Sequence, residues 1–464
     1  MATTTIETTA PVSAFTTVQL MTPDGPVSRR VRRGAPRTPT LDEMPVIDLS
    51  SLDGDATARK AIATKIKAAA ENTGFFYVSN HGIPQELIEQ ALEQIKAFFN
   101  QEQEYKDRVS FDKAGKFCGY HGVGSTQINN QETRDKKETF SMRYDTRIDQ
   151  THDCVDDINS NFTSTDYVWD RTSHLTNFRP VLTEFYQKRL MLARKLIRLF
   201  ALALDLPEDY FDSIITTPGA DAVHIHYPGT DGNTEDVDVG IGSHTDIQCV
   251  TLLWQDMSGG LQVLSADDEW LDARPIEGTL VINIGDFLQR LSNDRFKSTV
   301  HRVYNRQKTS RYAMPFFLGF NPDAVCEVLP TCIDEEHPPL YEPISCGKWR
   351  DSRLKLAETP DKKAILLSST DKMQLLGLLV VCLPAVSAQA FWWTNSGWSK
   401  PADFNSKACA SNPNTHYFCG VISGTLGENA YPNQFPIRRD TCTLADTLGR
   451  GCNWQGAVGT VICC

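Results

Sequence analysis

Apolar positions along the chain repeat with two periods. Short apolar runs at 44–52 (MPVIDLSSL) and 74–79 (GFFYVS) predict strands, the second closed by a turn at 82–84. Ala61, Ile62, Ile66, Ala69 and Ala70 recur at helical spacing, as do Leu87, Ile88, Ala91, Leu92 and Ile95. A longer stripe of Leu182, Phe185, Leu192, Leu196, Leu199 and Phe200 predicts a helix over about 178–204, lying under a sheet. From 221 to about 329 the period shortens. AVHIHYP, QCVTLLWQ, LQVLSADDEWLDARP, TLVINIGDFLQRLS, STVHRVYN and RYAMPFFLGF follow one another as strands, parted by Gly, Asp, Asn and Ser. Closely spaced strands of this kind predict an antiparallel sandwich or barrel rather than a βαβ fold. No Gly-rich loop follows a strand, which disfavours a nucleotide-dependent enzyme.

Composition narrows the partners. The 464 residues carry a net charge of −12, which argues against nucleic acid as the main partner but leaves room for a small anion held by one buried arginine. Residues 1–43 lack a targeting signal; Arg29, Arg30, Arg32, Arg33 and Arg37 among Pro and Gly read as a solvated, flexible arm, with docking as the other reading. Six cysteines are spread over 1–372, the sparse usage of a reduced, cytoplasmic protein, whereas another six fall in 389–464.

Three residues of the strand region carry candidate chemistry. His244 and Asp246 stand two apart in GSHTDIQ, so on an extended strand both point to one face. His301 follows 55 residues after Asp246, in STVHRVYN. Two imidazoles and a carboxylate on one face of a metal suit a non-haem Fe(II) oxygenase, with open coordination positions. An H-x-D triplet alone is weak, since most are surface polar residues. Arg311 begins an apolar strand, where a guanidinium needs a partner; its fork suits a carboxylate. An edge arginine in solvent is the plainer reading. Tyr227, in HIHYPG, faces it as a further hydrogen-bonding group. His224 and His226 form a rival pair without a third ligand, His226 also being placed to line a cofactor pocket. His81 reads as a turn residue, and Phe140 and Tyr144 as either a pocket border or a half-buried strand.

In order and spacing, MPVIDLS, TGFFYVSNHGIP, HYPG, GSHTDIQCVTLLWQD, GGLQVL, LVINIGDFLQRLSN, KSTVHRVYN and RYAMPFFLGF resemble the iron/2-oxoglutarate-dependent dioxygenases of the isopenicillin N synthase type, over about 44–357. The resemblance implies a mainly β fold with flanking helices, built on a double-stranded β-helix (jelly-roll) core. It implies Fe(II) on His244, Asp246 and His301, 2-oxoglutarate chelating the metal with its far carboxylate on Arg311, and O2 at the last position. Ascorbate is the reductant such enzymes use. A small organic substrate would then be hydroxylated, desaturated or cyclised, as in secondary metabolism, with no nucleic-acid or membrane partner; oligomeric state is not legible. One position departs from the pattern: the family's Arg-x-Ser reads Arg311-Tyr312-Ala313 here. The missing hydroxyl removes a hydrogen bond of about 1.5–3 kcal/mol to a charged group. An oxidase of the same fold that does without 2-oxoglutarate, and a metal-free binding module, stay open as alternatives.

The expected domains are a flexible arm (1–43), an N-terminal domain (44–165), a helix plus jelly roll (166–357), a linker (358–372), a hydrophobic segment (373–388) and a small cysteine-rich segment (389–464). Lys372, Met373 and QLLGLLVVCLPAVSA have the pattern of a secretory signal peptide. Sixteen residues span about 24 Å as a helix, short of the roughly 30 Å membrane core. Residues 389–464 thus look like a separate secreted protein, and the chain like a join of two reading frames.

Overall fold

The computed structural model describes residues 14–22, 25–114, 118–151, 164–230 and 239–358, together with six strands beyond 391. The chain divides into two compact units, Met1–Ser368 and Ser369–Cys464.

Besides a separate pair, Val325–Cys326 with Ile344–Ser345, fourteen described strands build the first unit's sheets. They are β1 (Phe15–Thr22), β2 (Gly25–Arg32), β3 (Val46–Asp48), β4 (Phe75–Ser79), β5 (Gly119–His121), β6 (Glu138–Arg143), β7 (Ala220–Tyr227), β8 (Ile241–His244), β9 (Val250–Gln255), β10 (Leu261–Leu264), β11 (Trp270–Asp272), β12 (Thr279–Ile284), β13 (His301–Val303) and β14 (Arg311–Leu318). Eight form one sheet in the order β3-β4-β12-β9-β14-β7-β6-β5, and four form a second, β11-β10-β13-β8. Between them lies an apolar interior of Phe75, Tyr77, Ile225, Tyr227, Leu261, Val263, Val281, Val303 and Ala313. This is the expected mainly β, jelly-roll architecture.

The outer face of the large sheet is covered by helices. α1 (Ala56–Asn72) is capped by Asp55, whose carboxylate accepts from the Ala58 amide. α1, α2 (Gln85–Phe99) and the long helix Phe178–Ala203 bury the predicted stripes against the strands. Strands β3 to β6, assigned from sequence to an N-terminal domain over 44–165, belong to the same sheet as β7, β9, β12 and β14. The large sheet therefore crosses the boundary expected at 165/166.

Two expectations are corrected here. The 1–43 arm is not flexible throughout: β1 and β2 pair as a hairpin from Phe15↔Arg32 to Thr22↔Gly25. Val31 is buried with Leu264, Trp270 and Val300, and three of the five arginines that suggested solvation meet carboxylates, Arg30 with Asp268 (2.6 Å), Arg32 with Glu269 (3.3 Å) and Arg37 with Glu43 (2.6 Å) and Glu269 (2.7 Å). The segment TLVINIGDFLQRLS is not one strand. It is a strand as far as Ile284 and a helix over Asp286–Leu291, with Gly285 at the joint. A Cβ on Gly285 would stand 2.1 Å from the Gln248 carbonyl oxygen, so only glycine lets the chain turn there.

In the second unit the described strands form an antiparallel sheet: Ile437–Arg439, Trp392–Thr394, Tyr417–Ile422, Ala457–Cys463 and Thr443–Leu444 in that order, with Gly451–Trp454 also pairing with Ala457–Cys463. The 359–372 part of the linker and the hydrophobic segment 373–388 lie outside the described residues. No described helix is long and apolar enough to cross a membrane.

Candidate active site

His244 ends β8 and His301 begins β13, and the two are register partners across the small sheet. Their rings lie 4.2 Å apart, centroid to centroid. Asp246 is two residues past the end of β8, and its Oδ1 comes to the same side as His244 Nε2, 3.7 Å away. The Asp246 carboxylate is held from other strands: Asn283 of β12 donates to its Oδ2 (2.8 Å), as does the Thr251 hydroxyl of β9 (2.5 Å). The backbone amide of Asp286, beyond the tight Gly285 joint, donates to the Asp246 carbonyl (2.7 Å).

These bonds leave Oδ1 free, and it stands 3.7 Å from Nε2 of both His244 and His301. One ligand atom from each of the three residues falls within 4.8 Å of the others. Each imidazole turns its other nitrogen to a backbone carbonyl, His244 Nδ1 to Gly242 (2.7 Å) and His301 Nδ1 to Thr299 (3.1 Å). A carbonyl only accepts, so Nδ1 carries the hydrogen and Nε2 presents its lone pair inward. Burial, with His301 beside it, pushes the His244 imidazole down, which keeps it neutral at neutral pH. Burial pushes the Asp246 carboxyl up, but the two imidazoles and the Asn283 and Thr251 bonds outweigh it and hold it below its usual value. Two imidazole nitrogens and one carboxylate oxygen, facing one point and fixed from behind, suit a divalent iron with positions left open.

Arg311 opens β14, opposite Tyr227 of β7. It is 1% exposed, so a solvent-facing edge arginine is ruled out. Its Nε donates to the Gly259 carbonyl (2.5 Å) and its Nη2 to Gln255 Oε1 (2.9 Å), while Nη1 is buried with no hydrogen-bond partner. The left-handed turn at Gly259 and Gly260 (φ +80° and +92°) aims that carbonyl. The guanidinium carbon lies 4.8 Å from the centre of the Tyr227 ring. A buried guanidinium with an unused donor fits an incoming carboxylate. Ala313, two residues on and also buried in the interior, offers no hydroxyl.

The other candidates do not join this cluster. His224 is fully buried beside Phe140, its Nδ1 at the Phe140 carbonyl and Nε2 3.5 Å from Arg189. His226 bonds Glu138 (2.7 Å) and stacks on Tyr312, away from Tyr227. It therefore lines no cofactor pocket, and no rival metal pair forms among the described residues. Phe140 is packed among Phe98, Trp169 and Phe178 rather than bordering a cavity. The Tyr144 hydroxyl donates to Asp149 (2.7 Å). His81 accepts from the Ile83 amide within its turn, as read. Asn283, Thr251 and Gln255 were not singled out from sequence. Their one signal is a polar residue within an apolar strand, as in LVINI.

A cavity of about 500 Å³ opens beside His244, walled in part by Ile247, Trp349 and Val300.

Residues 44–162 match the family described as non-haem dioxygenase in morphine synthesis N-terminal, and residues 221–320 match the 2OG-Fe(II) oxygenase superfamily. The 2-oxoglutarate-Fe(II) type oxidoreductase ppzC of Metarhizium rileyi is 40% identical over 369 residues, 76% of this chain and 97% of the relative. The corresponding oxidoreductase hxnY of Emericella nidulans is 33% identical, over 65% of this chain and 86% of its own. A full-length Neurospora crassa protein, solved by crystallography in complex with alpha-KG, is 27% identical, with a TM-score of 0.57, covering 70% of this chain and all of that one. The names of these relatives favour the 2-oxoglutarate reading over the oxidase and the metal-free module. Set beside the His-Asp-His cluster and the buried arginine, they show that the chain belongs to the 2OG-Fe(II) oxygenase superfamily and is a non-haem Fe(II), 2-oxoglutarate-dependent dioxygenase.

Proposed function

We propose that His244, Asp246 and His301 hold the Fe(II), and that Arg311, with Tyr227 beside it, holds the far carboxylate of 2-oxoglutarate. The observation that carries the metal assignment is the pair of Nε2 atoms, each 3.7 Å from the same free Asp246 oxygen. The unpartnered Nη1 of Arg311 carries the second. When bound, the iron and its co-substrate supply the activation of O2 coupled to decarboxylation of 2-oxoglutarate to succinate. The chain's own residues orient that pair. Asn283 and Thr251 fix the carboxylate, the Gly242 and Thr299 carbonyls fix the imidazoles, and the apolar interior around Val263, Val303 and Ala313 excludes water.

The substrate is a small organic molecule in the 500 Å³ cavity beside His244. Its product is hydroxylated, desaturated or cyclised, in a secondary-metabolic setting. The crystal structure of the same Neurospora crassa protein with alpha-KG and thymine (27% identical, TM-score 0.57, 68% of this chain and 96% of that one) supports a small-molecule substrate. Anaerobic reconstitution with Fe(II) followed by a 2-oxoglutarate titration tests the site. A visible charge-transfer band that saturates at one equivalent of iron supports it, and no band at any 2-oxoglutarate concentration contradicts it.

We further infer that 389–464 is a secreted cysteine-rich protein joined to a cytoplasmic enzyme, the hydrophobic stretch at 373–388 being its signal peptide. The division into compact units at Ser368/Ser369, within the 358–372 linker, supports a join at that linker. Peptide mapping of the native product tests it: a peptide crossing 372–388 in a species of about 52 kDa would contradict it.

A further inference from the structure

The β1–β2 hairpin roofs the cavity beside His244. Leu20, Thr22, Val27 and Arg29 all line it. Asn129 ties the roof to the metal strand: its Nδ2 donates both to the Gln19 carbonyl (2.9 Å) and to that of Ser243 (3.0 Å), the residue before His244. Its far end is held by Val31 in the apolar cluster and by the carboxylates at 268 and 269.

The charges on this cavity are unequally committed. Arg353 pairs with Asp286 (2.7 Å). Asp294 accepts from the Tyr341 hydroxyl (2.8 Å), and the Arg290 guanidinium lies 4.6 Å over the Tyr341 ring. On the hairpin itself, Arg30 and Arg32 have carboxylate partners. Arg29 differs from them. Its guanidinium has no ion pair or hydrogen bond among the described residues, and the residue is exposed, lining this cavity and a neighbouring one. Apolar lining is supplied by Ile247 and by Trp349, which is fixed by its Nε1 donating to the Ile247 carbonyl (2.9 Å).

We propose that the hairpin is part of the substrate-binding surface, and that Arg29 takes a carboxylate on a small substrate whose apolar body lies against Ile247 and Trp349. This rests on the reading of His244, Asp246 and His301 as the iron site. A cation near solvent gives a carboxylate about tenfold preference over a neutral amide of the same shape.

The test is equilibrium binding, without oxygen, to enzyme loaded with Fe(II) and 2-oxoglutarate. The probes are matched pairs: 3-phenylpropanoate with 3-phenylpropanamide, and octanoate with octanamide. At least one acid should bind about tenfold more tightly than its amide. Arg29→Gln should remove that preference, and Arg29→Lys should keep it. Amides binding as well as acids, a preference that survives Arg29→Gln, or binding of neither acid would overturn the proposal. Failure of the wild-type protein to form the Fe(II)–2-oxoglutarate band would instead count against the iron site itself.

Discussion

Replacing Arg311 by leucine isolates the co-substrate anchor. The guanidinium is 1% exposed, spends Nε and Nη2 on Gly259 and Gln255, and keeps Nη1 unused. A carboxylate reaching it gains a charge-assisted hydrogen bond to Nη1 and the attraction of a positive charge in a dry interior. One such bond contributes about 1.5–3 kcal/mol, and with the charge the total is about 3–5 kcal/mol. That converts to roughly 10²- to 4 × 10³-fold weaker 2-oxoglutarate binding. The assay is an anaerobic titration of the Fe(II)-loaded protein, followed by the charge-transfer band. Arg311→Leu also leaves the Gly259 carbonyl and Gln255 Oε1 unpaired, which lowers stability by about 1–3 kcal/mol for each. Arg311→Lys serves as companion, because it keeps the charge and loses only the fork; its loss should be smaller. Fe(II) affinity without 2-oxoglutarate should stay as in the wild type for both. A 2-oxoglutarate Kd within about threefold of wild type in Arg311→Leu, far below the expected loss, would refute the anchor.

Three further outcomes are expected. Asn283→Ala frees Asp246 Oδ2 from its β12 donor and should weaken Fe(II) binding about 10- to 100-fold, as read by competition with a chelator; unchanged affinity would mean that Thr251 alone sets the carboxylate. Ala313→Ser places a hydroxyl on the face that carries Arg311 and should tighten 2-oxoglutarate up to about tenfold; a weaker Kd would show that the far carboxylate lies elsewhere. The hydrogen bond from Arg37 holds the Glu43 carboxyl down at about 2. A depressed folded pKa stabilises above the unfolded value near 4.5 and loses that contribution as pH falls towards 2. The Tm gap between wild type and Glu43→Gln should therefore be full at about pH 6 and shrink as the pH approaches 2. The pair is partly exposed, so the gap is small, under about 1 kcal/mol, and a gap independent of pH would contradict the assignment.

Much of the fold and the metal cluster was legible in the sequence, and the exceptions have physical causes. Strand and helix periodicity located the core because burial acts on every second or every third to fourth residue, as in much of β7 and in the long helix Phe178–Ala203. The hairpin was missed because arginines at 29–33 look solvated in composition, whereas Arg30, Arg32 and Arg37 are matched to acids more than two hundred residues away or across a turn. The helix Asp286–Leu291 was hidden inside an apolar run whose break rests on one glycine. The H-x-D pair was recognised from its spacing, and its two ligand atoms do come to one side although Asp246 lies past the end of β8. Its real supports, Asn283 and Thr251, come from strands whose pairing no local pattern reveals. Arg311 was found as an awkward charge at the head of an apolar strand, and its unsatisfied Nη1 only becomes visible once the Gly259 turn is in place.

Iron stoichiometry tests the central claim most directly. Purified protein reconstituted without oxygen should bind one Fe(II) per chain, and His244→Ala, Asp246→Ala and His301→Ala should each lose it while keeping the wild-type circular dichroism. One tightly held iron persisting in all three variants, or none in the wild type, would contradict it.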